Sequence, residues 1–375
     1  MIAISFVILG HINFLKNGYI ANNMTETGTF NGWFPYYSFH LPIFLFITGY
    51  YFRDFSKETG FFKNLGKFAG RKFIKLMVPY YIFSGLSLLA GTVIAGMGFT
   101  FSNRFSLSNW LLAPWVKPYI ISFSTPAWYL TALFIAEIYF VLLRKLTGFI
   151  KKETLREIIM LALTLVLGIG AVYLSSGADV SPAAIVYLRS VVMLFFIQLG
   201  LFYRKIPEQF DTLPSAGYFA IVFALQLLII ILSGSSRMSP GLYELLDFGR
   251  TGWLYFAAGI TGIMLWLRIS RLLAAIPKKS ALIRFAGANT KYIMALHVFG
   301  WFLLNGLLEW LNNIADINLL RNFSSGWYHS YLYYACTEDP RMIVLYYLAG
   351  MTFSLLVAWA VQSIKSIFSK KIKAK

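Results

Sequence analysis

Charge is scarce in this chain. Only 13% of its 375 residues are Asp, Glu, Lys or Arg, against roughly 25% in an ordinary soluble domain. Hydrophobic residues make up 58%, so too little polar surface exists to cover a water-soluble fold, and the chain reads as a membrane protein. Cysteine is nearly absent. The single Cys336 excludes an intrachain disulfide and a thiolate metal cluster, and no metal site is expected; a lone thiol reads as apolar filler. Several enzyme signatures are missing as well. No GxxxxGK[ST], GxSxG or HExxH occurs, which leaves ATP-driven transport, serine hydrolysis and zinc proteolysis without support. The glycines of LGIGAVYL lack the strand that a dinucleotide fold needs and read as helix-packing positions. No internal repeat is evident, which disfavours repeat-built transporters. No basic segment precedes the first apolar run, so no cleavable signal peptide is expected.

What charge there is has one dominant sign: 33 Lys and Arg against 15 Asp and Glu, a net +18. Such an excess usually points to nucleic acid. Here the basic residues lie in short segments between apolar runs, so they read as topology signals facing an anionic leaflet. Membrane lipids, not nucleic acid, are the expected partners. A bilayer core takes roughly 20 apolar residues as a helix. Ten spans follow, near 1–15, 36–52, 77–97, 127–143, 157–174, 183–203, 216–233, 251–267, 292–311 and 342–362. With both termini in the cytoplasm, 25 of the 33 Lys and Arg fall in inner segments and seven in outer ones, a strong positive-inside bias. The expected class is all-α: a polytopic integral membrane protein of about ten transmembrane helices with both termini cytoplasmic. Residues 1–375 form a single transmembrane domain, since no soluble domain fits between the spans. The longest gaps, 98–126 and 312–341, are rich in Trp, Tyr, Asn and Pro, as interfacial loops or re-entrant segments would be.

Few polar side chains interrupt the spans. His11 follows MIAISFVILG in the first. An ionisable group at that depth is costly and is usually retained for function. A neutral imidazole there can take a proton as a general base, or it can tie helices together. His40 opens FHLPIFLFITGYYFR in the second span, with Pro42 in the first helical turn, where its missing N–H costs little. It reads as functional or as an interfacial histidine wetted by headgroups. Thr48 and Gly49 would let another helix approach closely. Glu137 lies in the fourth span and Arg189 in the sixth. A carboxylate at such a depth is protonated or paired, so Arg189 either neutralises Glu137 or holds a substrate phosphate or carboxylate. His297, Asn305 and Glu309 form a polar stripe on the ninth span, lining a substrate site or making a structural seam. His329 lies in an outer loop. In the first inner loop Arg71, Lys72 and Lys75 cluster before Pro79, either as topology and headgroup contacts or as a dock for an anionic cosubstrate such as a nucleotide phosphate.

Four stretches resemble the acyltransferase 3 family of bacterial membrane acyltransferases, and most closely its branch of fucose 4-O-acetylase-like sugar O-acetyltransferases. They are IAISFVILGHI ending at His11, FHLPIFLFITGYYF, RKFIKLMVPYY (Arg71 to Tyr81) and PAWYLTALF (Pro126 to Phe134). The resemblance implies transfer of an acyl group, most simply acetyl from acetyl-CoA as cosubstrate, with no tightly bound cofactor. The acceptor implied is a hydroxyl of an envelope glycan or lipid-linked sugar, and the location a multi-pass position in the bacterial inner or plasma membrane. His11 would be the catalytic histidine, with His40 beside it. Arg71, Lys72 and Lys75 would hold the acyl-CoA phosphates, and Arg189 or Asn305 would stabilise the oxyanion. Family members usually carry Arg or Lys eleven residues before the first-span histidine. Here only ten residues precede His11, so the true start is expected upstream of Met1. Two rival readings remain: an exporter of polysaccharide or lipid-linked sugar that leaves acetyl-CoA untouched, and the membrane-bound O-acyltransferases, which place a key histidine in a long apolar stretch as His297 is placed.

Overall fold

Where its residues are described, each apolar run expected to cross a membrane is mainly helical. The computed structural model describes residues 1–15, 40–99, 103–120, 122–175, 180–233, 252–275, 280–313 and 341–373; Cys336 and His329 lie outside them. The helices are α1 (Ile2–Leu15), α2 (His40–Tyr50), α3 (Phe61–Gly96), α4 (Trp128–Leu146), α5 (Glu153–Ser175), α6 (Pro182–Lys205), α7 (Ser215–Ser233), α8 (Leu254–Ala274), α9 (Ala281–Ala288), α10 (Thr290–Asn313) and α11 (Arg341–Lys373). No strand occurs among the described residues. Eight of these helices are long and apolar enough to cross a bilayer, and two shorter apolar ones, Ile2–Ile12 and His40–Tyr50, stand at the first two expected spans. The protein is thus an all-helical polytopic membrane protein.

The third span differs from expectation. It begins at Phe61, not near residue 77, so Arg71, Lys72 and Lys75 sit on a helix and not in a loop. Pro79 suggests a helix start because it lacks an N–H. The chain instead runs through it by way of a π turn over Phe73–Met77, in which the Val78 N–H bonds back to the Phe73 carbonyl. The wider turn makes room for the proline ring that would clash in a regular helix. The same device recurs at Ser108–Leu112, directly before Ala113 and Pro114.

That second π turn belongs to a re-entrant segment. The Phe105 N–H donates to Thr92 Oγ1 (2.8 Å), Trp110 Nε1 to the Tyr81 carbonyl (2.8 Å) and Trp115 Nε1 to Tyr81 Oη (3.0 Å). Tyr81 precedes the end of α3 by fifteen residues, roughly 22 Å of helix. Residues 105–115 of the 98–126 gap therefore fold back deep along α3. The 312–341 gap lies largely outside the described residues.

Two backbone contacts and two ion networks hold α2 in place. Gly49 of α2 meets the Ile197 carbonyl of α6, and Gly200 of α6 meets the Phe46 carbonyl and Tyr50 nitrogen of α2, as the small residue expected at Gly49 allows. At the basic end, Arg144 is fully buried. It donates to Glu157 Oε2 (2.7 Å) and Oε1 (2.9 Å) and, through Nε and Nη2, to Asp54. Arg156 adds bonds to Asp54 (3.0 Å) and Ser56 Oγ (2.7 Å), and Lys205 reaches Glu157 (2.8 Å). A second network joins Asp211 to Arg268 and Arg271, and Tyr50 donates to Glu208 (2.9 Å). Together they link the ends of α2, α4, α5, α6 and α8, which gathers the charged termini of these helices at one end of the bundle. Burial pushes the Asp54 carboxyl up, but Arg144 and the Ser56 hydroxyl and N–H outweigh it and hold the group down at about 2.

Candidate active site

The histidine of the first span and the histidine of the ninth meet. His11 Nδ1 lies 2.9 Å from His297 Nε2, although 286 residues separate them in the chain. The two rings are nearly parallel, 6° apart, with centroids 5.1 Å apart, the arrangement of two rings joined edge to edge. The other nitrogen of His297, Nδ1, is 2.7 Å from the Ile293 carbonyl one turn back on α10. His297 is fully buried, whereas the described residues cover His11 only in part. The Trp301 ring stands on edge against His297, with centroids 4.8 Å apart and planes at 80°, and its Nε1 donates to the Tyr346 carbonyl of α11 (2.6 Å). A methyl at Gly350 of α11 would come within 3.1 Å of His297 Cβ, so a residue with no side chain permits this approach of the two helices.

His297 lies seven residues into α10 and His11 nine beyond the start of α1, about 10 and 14 Å along their axes. His40, the first residue of α2, is buried and lies within electrostatic reach of His11. The helix that His40 opens, α2, packs against α1, which carries His11.

Other expected site residues are placed elsewhere. Asn305 lies eight residues beyond His297 on α10, about 12 Å along the helix, where it accepts a hydrogen bond from Tyr346 Oη. Glu309 takes a bond from Asn313 (2.5 Å) on the same helix. The stripe of His297, Asn305 and Glu309 thus does two things: its first member meets His11, while Asn305 seals α10 against α11.

Glu137 corrects another expectation. Its partner is Lys72 of α3, which donates to Oε1, and not Arg189. A buried carboxylate demands a cation, and the extension of α3 below Pro79 brings Lys72 to it. Arg189 instead donates to the Pro118 carbonyl and lies over the Trp128 ring, 4.5 Å from its centroid. It lines a polar cleft with Tyr80, Ser84, Ser122, Ser124 and Thr131, on the side of the re-entrant segment. Of the three basic residues expected to hold a cosubstrate, Lys72 is engaged with Glu137, whereas Arg71 and Lys75 are exposed.

The Lys72–Glu137 pair yields a test of structure against ligand binding. Lys72→Met should destabilise the protein by about 3 kcal/mol, the loss expected when one partner of a buried pair is removed. Lys72→Met with Glu137→Gln should recover much of that stability, and the activity with it. Thermal midpoints in detergent and transfer rates would check this. A double variant that is stable yet inactive would return Lys72 to cosubstrate binding.

Sequence reasoning missed the Asp54–Arg144–Arg156–Glu157 network and Tyr346. Arg144 and Arg156 read as loop charges flanking spans, and only an acidic residue in each flanking segment hinted at pairing.

No curated protein and no solved structure matches the chain. A family model described as an acyltransferase domain, Acyl_transf_3, matches residues 1–362, nearly the whole chain and all four of its histidines. That match extends over the stretches around His11, His40 and Arg71 that carry the resemblance, and over the all-helical membrane bundle that brings His11 and His297 together. The chain belongs to the acyltransferase 3 family of membrane acyltransferases.

Proposed function

We propose that this acyltransferase moves an acetyl group from acetyl-CoA, arriving at the basic cytoplasmic end, to a hydroxyl of a cell-envelope or lipid-linked sugar. One observation carries the reading: an intramembrane histidine, His11, is hydrogen-bonded to a second buried histidine in a chain of this family. An ionisable group kept at such depth is retained for chemistry more often than for stability. In the proposed step His11 takes the proton of the acceptor hydroxyl. The oxygen attacks the thioester carbonyl carbon, the C–S bond breaks, and the CoA thiolate leaves. The proton held on His11 then passes to the thiolate, giving CoA–SH and an ester and restoring the neutral ring. Arg71 and Lys75, exposed on α3 near the charged end, are the cations proposed to meet the CoA phosphates. His40 is proposed to border the reacting groups.

The test is transfer of label from acetyl-CoA into envelope glycans by membranes carrying the wild type or His11→Ala. Loss of a positioned base costs about 10²–10⁴-fold, so label should fall to background in the variant. Equal labelling by both forms would remove His11 from the chemistry. Label from another acyl-CoA but not from acetyl-CoA would keep the mechanism and change the donor.

A further inference from the structure

We infer that His297 is a positioning residue that fixes the tautomer and orientation of His11, so that His11 accepts the proton at Nε2. This rests on the reading of His11 as the base. A carbonyl oxygen only accepts hydrogen bonds. The 2.7 Å contact with the Ile293 carbonyl therefore places a hydrogen on His297 Nδ1, and in a neutral imidazole the other nitrogen, Nε2, carries the lone pair. The 2.9 Å contact between that Nε2 and His11 Nδ1 then needs its hydrogen from His11. With Nδ1 protonated, neutral His11 has its lone pair on Nε2, pointing away from His297. The reverse arrangement would require a doubly protonated His297. That ring is 0% exposed, and its described hydrogen-bond partners are a carbonyl and another imidazole, so a charge there would be buried without a carboxylate.

The ring geometry supports the same chain of donors. The near-parallel planes and the 5.1 Å centroid separation put the His297 lone pair, which lies in its ring plane, in line with the His11 N–H. Trp301 on edge and the close approach at Gly350 wall in the His297 ring, so the direction of its lone pair is set by packing. When His11 takes a proton, its Nδ1–H bond to His297 becomes charge-assisted and strengthens. His297 would thus do with a neutral acceptor what the buried aspartate does for the histidine of a serine-protease triad.

The chain has four histidines, so ring-¹⁵N-histidine spectra of the full chain in nanodiscs are assignable from single variants. In the wild type His11 should show a protonated Nδ1 and a bare Nε2. His297→Phe removes the acceptor: His11 should lose that tautomer preference, and acetyl transfer should fall about 10²-fold. His297→Gln offers a carbonyl oxygen to the same N–H and should restore the tautomer, with activity within about tenfold of wild type. A wild-type His11 protonated at Nε2 would overturn the inference. So would a Gln variant with the wild-type tautomer but no more activity than Phe, since His297 would then be carrying protons itself. If His297→Phe does not fold, the wild-type spectrum and the Gln variant still decide. Undiminished transfer by His11→Ala would instead sink the underlying base assignment, whatever the tautomer.

Discussion

Gly200→Val should leave the protein unable to assemble its bundle. A Cβ at Gly200 would overlap the Phe46 carbonyl oxygen and stand 2.8 Å from the Tyr50 nitrogen; one at Gly49 would overlap the Ile197 carbonyl oxygen and stand 2.6 Å from its carbon. The obstructing atoms are backbone in both cases, so no side chain can swing aside. Ordinary overpacking costs about 1–3 kcal/mol because side chains and helices yield a little. Here α2 and α6 would have to separate as wholes. That would break the Arg204 bond to the Phe52 carbonyl (3.0 Å) and pull Tyr50 away from Glu208. The expected result is an aggregated or rapidly degraded product, read as the loss of a monodisperse peak in mild detergent. Gly170→Ala is the control: nothing lies within 4 Å of its Cβ, so that substitution should be neutral or stabilise by about 0.5–1 kcal/mol. A Gly200→Val protein with an unchanged thermal midpoint would contradict the contact.

Arg144→Leu should be the most damaging change outside the glycine contact, at about 3–5 kcal/mol. Its guanidinium serves Asp54 and Glu157 at once, and removing one partner of a buried ionic network leaves uncompensated charge. The pH dependence has a definite sign. In the wild type the Asp54 carboxyl is held at about 2 against an ordinary 3.8. Its contribution to stability is therefore fully present above 3.8 and is lost as the pH falls through about 2. In Arg144→Leu the strongest attraction opposing burial is gone, and the Arg156 contact and the Ser56 hydrogen bonds that remain hold the carboxyl down less, so it rises from its wild-type position. Protonation then relieves the charge that Arg144 no longer balances, so the gap in thermal midpoint between variant and wild type should narrow as the pH is lowered from about 7 towards about 5. Arg144→Leu with Glu157→Gln should recover part of the loss at neutral pH. An equal gap at both pH values, or none, would show that the network is not what holds these helix ends.

Residue types and run lengths made the spans legible, because a helix in lipid must be apolar over its whole length and must satisfy its backbone internally. His11 and His40 stood out for the same reason: a polar atom in such a run has no local excuse. The start of the third span was misjudged because Pro79 and three nearby cations look like a boundary, whereas a π turn carries the helix across the proline.

Hydropathy and local motifs depend only on neighbours along the chain, so they were enough to establish an all-helical membrane protein of the acyltransferase 3 family with histidines at depth. They could not say which groups pair; that came from the packing of the helices. Glu137 takes Lys72 over Arg189, Asp54 joins Arg144 and Arg156, and His11 finds His297. A buried charge or lone pair takes whichever partner the helix packing brings within about 3 Å, and that packing is set by contacts such as Gly49 on Ile197, between residues far apart in the chain.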